Sequence, residues 1–539
     1  MNDVIEMKVE CDNDALDRAD EVLEAQIEEM KDAKQGDVKA DSLHVNVASF
    51  IRKEAKLFHD AEDNGYAQYG RADHTETHPL ESMAFRKYAS WIAFTHFQQA
   101  LGRDAMASLV ALLSSHASFD GEQRRVERRV AHRSGVYYID LCNAEWQVVE
   151  VRPGIGWEIL DSDKNPIKFI RSRNAQALPI PEHGATIEVL WEYINIPEGD
   201  RMRVLTWILE TFRPETQYPI LSLKAVAGSG KTETVNTLRL LIDPNKALTS
   251  RLPNSTRDVL SNAQNNHVIA FDNLSYISDS LSDLLCCMAT GTGHRERRLY
   301  TNLEEEVLEL KRPVMFDGIE FLARRDDLVD RLIHVELPPF SEGSKINERE
   351  FRRQRKQDLP LIFGAILDLF QRATYVAEKL SAGDGVRMMD YGRLGQAVHR
   401  VLGVNDDFTA ELREHQSTLK HRVLDDSPFL GVVLDRLSNA YQVDGNALQG
   451  AEAWFGVRPT ICVDGSMRFQ QYPGKLLEHM ESMAKEFSYR TTDWPRKANG
   501  VMGVFDRNKT ALENLGFSYR KDGHDERGTL YTFTYHPEK

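Results

Sequence analysis

The chain is poor in cysteine, has no long apolar run and carries no excess of positive charge. Its five cysteines (Cys11, Cys142, Cys286, Cys287 and Cys462) are too few and too scattered for a disulfide framework. None stands in a CxxC or other metal-ligand spacing. A reduced, cytoplasmic setting is the expectation. No apolar run approaches the roughly 18–20 residues that a spanning helix needs, so no membrane partner is expected. The opening MNDVIEMKVECDND is acidic and without an apolar core, so it is not expected to be a secretory signal.

The net charge of −16 speaks against a nucleic-acid partner only until its distribution is read. Residues 1–41 hold 14 acidic and 5 basic side chains, and the other 498 residues are left with only −7. On a body so close to neutral, local basic patches decide the matter.

A chain of 539 residues implies several domains. Residues 1–42 read as an acidic arm, with an amphipathic helix at 14–34 carrying Leu16, Ala19, Leu23, Ile27 and Met30 on one stripe. This is a short coiled coil, a docking helix or a solvated acidic arm. Residues 43–200 read as a mixed α+β region. Helical patterns run to about Val130, and then SGVYYIDL, EWQVVEV and GWEIL read as a β-meander. Residues 201–345 alternate helix and apolar strand, which predicts an α/β core whose parallel sheet has helices on both faces. Residues 346–420 read as a helical lid. Residues 421–539 read as a winged-helix-like domain ending in two strands around a Lys521-Asp522-Gly523 turn.

The chemistry concentrates at Ala225-Val-Ala-Gly228-Ser-Gly230-Lys231-Thr232, between a predicted strand and a predicted helix. That context suits a phosphate-binding P-loop. Its glycines let backbone N–H groups of Ala227, Gly228, Ser229, Gly230 and Glu233 face phosphates. Lys231 would reach the β- and γ-phosphates of ATP, and Thr232 would ligate Mg²⁺. Ala225 replaces the first glycine of the motif. About 40 residues on, the apolar strand His267-Val-Ile-Ala-Phe-Asp272 offers Asp272 as a second Mg²⁺ ligand. The next residue is usually an acid that activates water, but here it is Asn273. An amide orients water without taking its proton, which leaves Asp272, Asp279 and Asp283 as candidate bases. Asp317 ends the next strand, where a γ-phosphate sensor belongs. Arg331, after Asp326-Asp327-Leu-Val-Asp330, suits a finger reaching a neighbour's γ-phosphate, or else belongs to a salt-bridge cluster.

The order AVAGSGKT, VIAFDN, ATGTGHRERRLYTN, RPVMFDGI, DDLVDRLIHVELPP resembles the superfamily 3 helicase branch of the AAA+ ATPases. The chain looks closest to bacterial ATP-binding proteins of prophages and integrative elements, over roughly residues 45–400. The resemblance implies a homo-hexamer or similar ring acting on single-stranded or forked DNA, with replication or defence proteins as further partners. It also implies a pore hairpin in which His294, Arg295, Arg297, Arg298 and Tyr300 meet DNA. The alternative is a solvated hairpin paired with Glu304, Glu305 and Glu306. The family normally has Asn where Asp317 stands. Two other readings stand beside the motor: a nucleotide-switched scaffold of low turnover, motivated by Asn273 and Asp317, and a winged-helix DNA-binding initiator. Against the initiator, residues 474–539 carry 11 basic and 10 acidic side chains. Most of Arg124, Arg125, Arg128, Arg129, His132 and Arg133 are expected on one helical face, solvated or at a subunit interface, with a nucleic-acid contact as the alternative.

Overall fold

The computed structural model describes residues 42–226, 228–253, 255–291, 294–297, 305–308, 311–318, 323, 325–340, 347–381, 386–425, 428–442, 445–486 and 494–536. The acidic arm to residue 41, Ala227, Arg298, Tyr300, Glu304 and Arg324 lie outside the described residues, as do the side chains of His294, Arg295, Arg297, Glu305 and Glu306.

The chain divides between Val126 and Glu127 into two compact units, a division that falls inside the region expected as one domain. In the first unit, strands Ala55–His59, Gly65–Arg71 and His74–Pro79 form an antiparallel sheet, with Glu122–Gln123 parallel at its edge. Helices Leu43–Glu54, Met83–Phe97 and Arg103–Phe119 bury Ile51, Phe85, Ile92 and Leu113 with the sheet's Ala67 and Tyr69.

The second unit opens with the expected meander. Its strands Val130–Arg133, Val136–Asp140, Val148–Arg152 and Gly156–Leu160 are antiparallel in sequence order. The arginine-rich run before it is not helical. The preceding helix ends at Phe119, and after Gly121 the segment enters short strands at Glu122–Gln123 and at the β-branched Val126 and Val130. Arg129 adopts a left-handed φ of 56° and is buried rather than solvated. Its guanidinium donates to Asp243 Oδ1 at 3.0 Å and to the carbonyls of Asp140 and Gln176 at 2.9 and 3.0 Å.

The site-bearing layer follows. Strands β1 (Ile220–Ala225), β2 (Ile269–Leu274), β3 (Val314–Gly318) and β4 (Leu332–Leu337) make a parallel sheet in the order β2-β3-β1-β4. Period-2 alternation buries both faces. Leu221, Leu223, Met315, Ile333 and Val335 join one core cluster, while Ile220, Ile269, Phe271, Val314, Phe316 and Leu332 join another. The first cluster is completed by α1 (Glu198–Glu210) and α2 (Lys231–Ile242). The second is completed by α3 (Thr256–Asn265) and α4 (Asp279–Thr290), whose N-termini are capped by Ser255 and Ser278. The short helix α5 (Asp326–Val329) precedes β4.

Helices α6 (Glu348–Ala377), α7 (Met389–Leu402) and α8 (Phe408–Asp425) fill the stretch expected to be helical. Among the described residues α6 alone is long and apolar enough to cross a membrane, and most of that stretch is buried inside the protein. Phe363 and Phe370 of α6 share a core with Tyr137, Ile139 and Val149 of the meander and with Trp207 of α1.

The C-terminal part has its own core, built by helices Pro428–Gln442, Gly445–Phe455, Pro473–Glu486 and Ala498–Arg507. These pack on an antiparallel sheet that includes Met467–Gln471, Phe517–Asp525 and Gly528–Tyr535. The terminal hairpin turns at Glu526-Arg527, not at Lys521-Asp522-Gly523. Asp522 is held in the sheet by Thr532 Oγ1 and by Gln470 Nε2 at 2.9 Å. Asp525 Oδ1 caps the actual turn by accepting from Arg527 N–H at 2.8 Å.

Candidate functional site

β1 ends at Ala225, and the chain reaches α2 through Val226–Gly230. Gly228 and Gly230 have φ of 84° and 70°, a left-handed backbone that glycine adopts without strain. A Cβ on Gly230 would also come within 2.7 Å of the Phe340 ring. No side chain caps α2, so the N–H groups of its first turn face outward at the positive end of the helix. Such a terminus suits a phosphate.

The loop is braced from outside. Asn195 Nδ2 donates to the carbonyls of Ser229 and Pro338 at 2.9 and 2.7 Å. Asn195 N–H donates to Thr234 Oγ1 at 3.1 Å. The Ser229 hydroxyl is occupied by the Val226 carbonyl at 2.7 Å. Glu233 is engaged by α6: Arg352 Nη2 reaches Oε1 and Arg355 Nη1 reaches Oε2, each at 2.7 Å. The Glu233 carboxylate is therefore turned to α6, and its backbone N–H is the group left for a ligand.

At the C-terminal end of the sheet, β2 and β3 fall out of step. Phe271 pairs with Phe316 and Leu274 with Gly318, so Asp272 and Asn273 together oppose Asp317. This bulge turns on Asn273, whose φ of 55° is left-handed, a region that asparagine tolerates better than most residues. Asn273 N–H donates to Asp317 Oδ1 at 2.9 Å. The Lys231 ammonium stands 2.6 Å from the same oxygen. Asp317 is 1% exposed. Burial raises its carboxyl above the ordinary value, aided by the charge of Asp272 and opposed by Lys231 and the Asn273 N–H. Asp272 is half-buried, while Thr232 and Asn273 are exposed. Thus Lys231, Asn273 and Asp317 come together in direct contact.

Arg331 does not join them. It precedes β4 and its carbonyl accepts from Ile220 N–H at 2.8 Å, at the end of the sheet opposite the loop. Its side chain is buried and donates to the Asp327 carbonyl. Nearby, Arg325 pairs with Asp283 at 2.8 Å and with Asp327 at 3.3 Å. Asp283 is thereby tied up, and Asp279 is an exposed residue in the first turn of α4. In the segment expected as a pore hairpin, strands His294–Arg297 and Glu305–Leu308 pair antiparallel, with Arg297 opposite Glu305.

Asn195, Phe340, Arg352 and Arg355 were not singled out in the sequence. Asn195 alone carried a local signal, a polar residue inside the apolar run Tyr193-Ile-Asn-Ile196.

A left-handed glycine loop between strand and uncapped helix, beside carboxylates at parallel strand ends, has the geometry that suits a phosphorylated ligand. Residues 187–415 match the family model described as actinomycete integrative conjugative element replication protein. Over that part the chain is similar to replication proteins of a mobile element, in agreement with its motif order. No curated protein matches the chain. Among solved structures, SCCmec type IV Cch, described as an active helicase, is 15% identical over 90% of this chain and 93% of that chain, with a TM-score of 0.43. The apo C-terminal region of NrS-1 is 10% identical over 92% of this chain and 99% of that chain, with a TM-score of 0.39. JCV helicase is 13% identical over 42% of this chain and 70% of that chain, with a TM-score of 0.22. At these scores none of the three likenesses carries weight for function.

Proposed function

We propose that the chain is an ATP-dependent, DNA-translocating ring ATPase, a helicase acting in replication of a mobile element. The observation that carries this reading is the Lys231 ammonium, held at the mouth of the glycine loop beside the carboxylates of the β2–β3 bulge. In this reading residues 201–345 are a P-loop AAA+ core, residues 346–420 a lid and residues 421–539 a winged-helix-like module. The triphosphate takes the N–H groups of Ala227–Glu233, and Lys231 exchanges Asp317 for the β- and γ-phosphates. Thr232 and Asp272 would hold Mg²⁺, which supplies neutralisation of phosphate charge.

Arg331 would serve a neighbouring copy in the ring, and must leave the Asp327 carbonyl to do so. His294, Arg295, Arg297, Arg298 and Tyr300 would follow one DNA strand. Titrating single-stranded DNA into the protein with Mg-ATP tests the reading. Turnover should rise with DNA and vanish in Lys231→Ala. Turnover that is indifferent to DNA would favour a second reading, a nucleotide-switched scaffold, for which the closed Lys231–Asp317 pair and the amide at 273 speak.

A further inference from the structure

We propose that Asp317, on the strand beside the metal-binding aspartate, is the group that takes the proton from the attacking water, while Asn273 shapes the backbone. The inference rests on the ATP-site reading above.

A general base for the attacking water would be a carboxylate beside the γ-phosphate, and Asn273 offers none. The other acids near the loop are committed or remote. Asp272 is assigned to the metal. Asp283 is paired with Arg325 at 2.8 Å, and Asp279 is an exposed residue of the first turn of α4. Asp317 is buried at the site itself, 2.6 Å from the lysine that must meet the γ-phosphate.

The bulge explains how an acid on β3 does work expected of β2. Two residues of β2 oppose one of β3, and the left-handed Asn273 aims its N–H at Asp317 Oδ1 at 2.9 Å. That bond fixes one carboxylate oxygen. The second carboxylate oxygen makes no hydrogen bond among the described residues. In the structure Lys231 neutralises Asp317. A triphosphate, carrying several negative charges, draws Lys231 away and leaves a buried carboxylate facing the γ-phosphate. One lysine thus binds substrate and uncovers the base in a single movement.

The step balances. The water oxygen forms a bond to the γ-phosphorus as the bond from that phosphorus to the β,γ-bridging oxygen breaks. ADP leaves with the electron pair, and the water proton passes to Asp317 and then to solvent. Nothing is oxidised or reduced. Asparagine at 273 is there because its backbone is left-handed, so glycine can replace it.

The test measures, for the full chain, the affinity for a fluorescent ATP analogue with Mg²⁺ and single-turnover ATP hydrolysis. Asp317→Asn should bind the analogue within about threefold of wild type and lose at least ~100-fold in hydrolysis, the scale of a general base. Asp317→Ser carries the same criteria if Asp317→Asn does not fold. Hydrolysis by the tested Asp317 variant within about threefold of wild type overturns the inference. So does loss of analogue binding in parallel with hydrolysis, which marks a structural residue. Wild-type protein that binds no Mg-ATP would sink the ATP-site reading itself, a result visible before any variant is compared.

Discussion

Asp243, at the end of α2, holds the sheet from below. Its Oδ2 accepts from the N–H groups of His267 and Val268 at 3.0 Å each and from Arg239 at 3.2 Å, and its Oδ1 accepts from Arg129 at 3.0 Å. All four partners stand where β2 begins or where α2 and the meander meet it. The carboxyl is fully desolvated, which alone would raise its pKa, yet Arg239, Arg129 and His267 bring it down from 3.8 to about 2. Asp243→Asn removes the carboxylate that both buried arginines, Arg239 and Arg129, bond, and leaves Arg239 without a counter-charge, so it should cost about 3–5 kcal/mol in chemical denaturation.

His267 beside it is driven from 6.5 to about 4, first by burial and then by Arg312 and Arg129, with Asp243 opposing. Below about pH 6.5 the unfolded chain binds a proton that the folded chain refuses until about pH 4. Stability from His267 is therefore complete above the upper value and lost as pH falls through the lower one. Asp243 adds a second loss as pH falls from 3.8 through about 2. Melting temperature followed against pH should show the first decline in wild type. In His267→Gln, whose amide can still donate to the Thr211 carbonyl, that decline should be absent.

At the scale of elements, what the sequence made legible were features that need a residue type at a fixed spacing. The strand–loop–helix around Gly228, Gly230 and Lys231 is one. The alternation of helix and apolar strand over residues 201–345, which predicted a parallel sheet with both faces covered, is another. Where spacing fits two structures, reading failed. Arginines at 124, 125, 128 and 129 suit a helical stripe, yet Gly121 and the valines carry the chain into strands. Lys521-Asp522-Gly523 has turn composition, yet Asp522 is bound across the sheet to Thr532 and Gln470, and the hairpin runs on. The contacts that complete the site are long-range, and no local pattern announces them: Asn195 on the glycine loop, Arg355 on Glu233, Lys231 on Asp317.

The long helix α6 shows how tightly such contacts are set. A Cβ on Gly364 would lie 1.8 Å from the Glu182 carbonyl oxygen, which belongs to backbone and cannot rotate aside. Gly364→Ala should therefore cost about 1–3 kcal/mol by forcing the 180–184 segment off the helix. Its unfolding midpoint in urea, compared with wild type, measures this. An unchanged midpoint would mean that the segment yields freely.

At the scale of the whole molecule, every described contact of Lys231, Glu233, Asn273 and Asp317 lies within residues 127–539, on the second side of the division at Val126. The proposed nucleotide site should accordingly survive removal of the first unit. A fragment beginning at Glu127 should bind Mg-ATP within about threefold of the full chain, since no described ligand group is lost. Titration with a fluorescent analogue checks this, and loss of binding would mean that residues 1–126 complete the site. The acidic arm, with 14 acidic and 5 basic side chains, is the part least suited to meet DNA.

Binding alone does not make a motor, so the central claim is tested where nucleotide chemistry meets DNA. The measurement is strand separation of a forked duplex, followed with Mg-ATP by wild-type protein and by Lys231→Ala. Wild type should separate the strands and stop when ATP is withheld, and Lys231→Ala should separate none. Strand separation that persists in Lys231→Ala, or that proceeds without ATP, would contradict the claim.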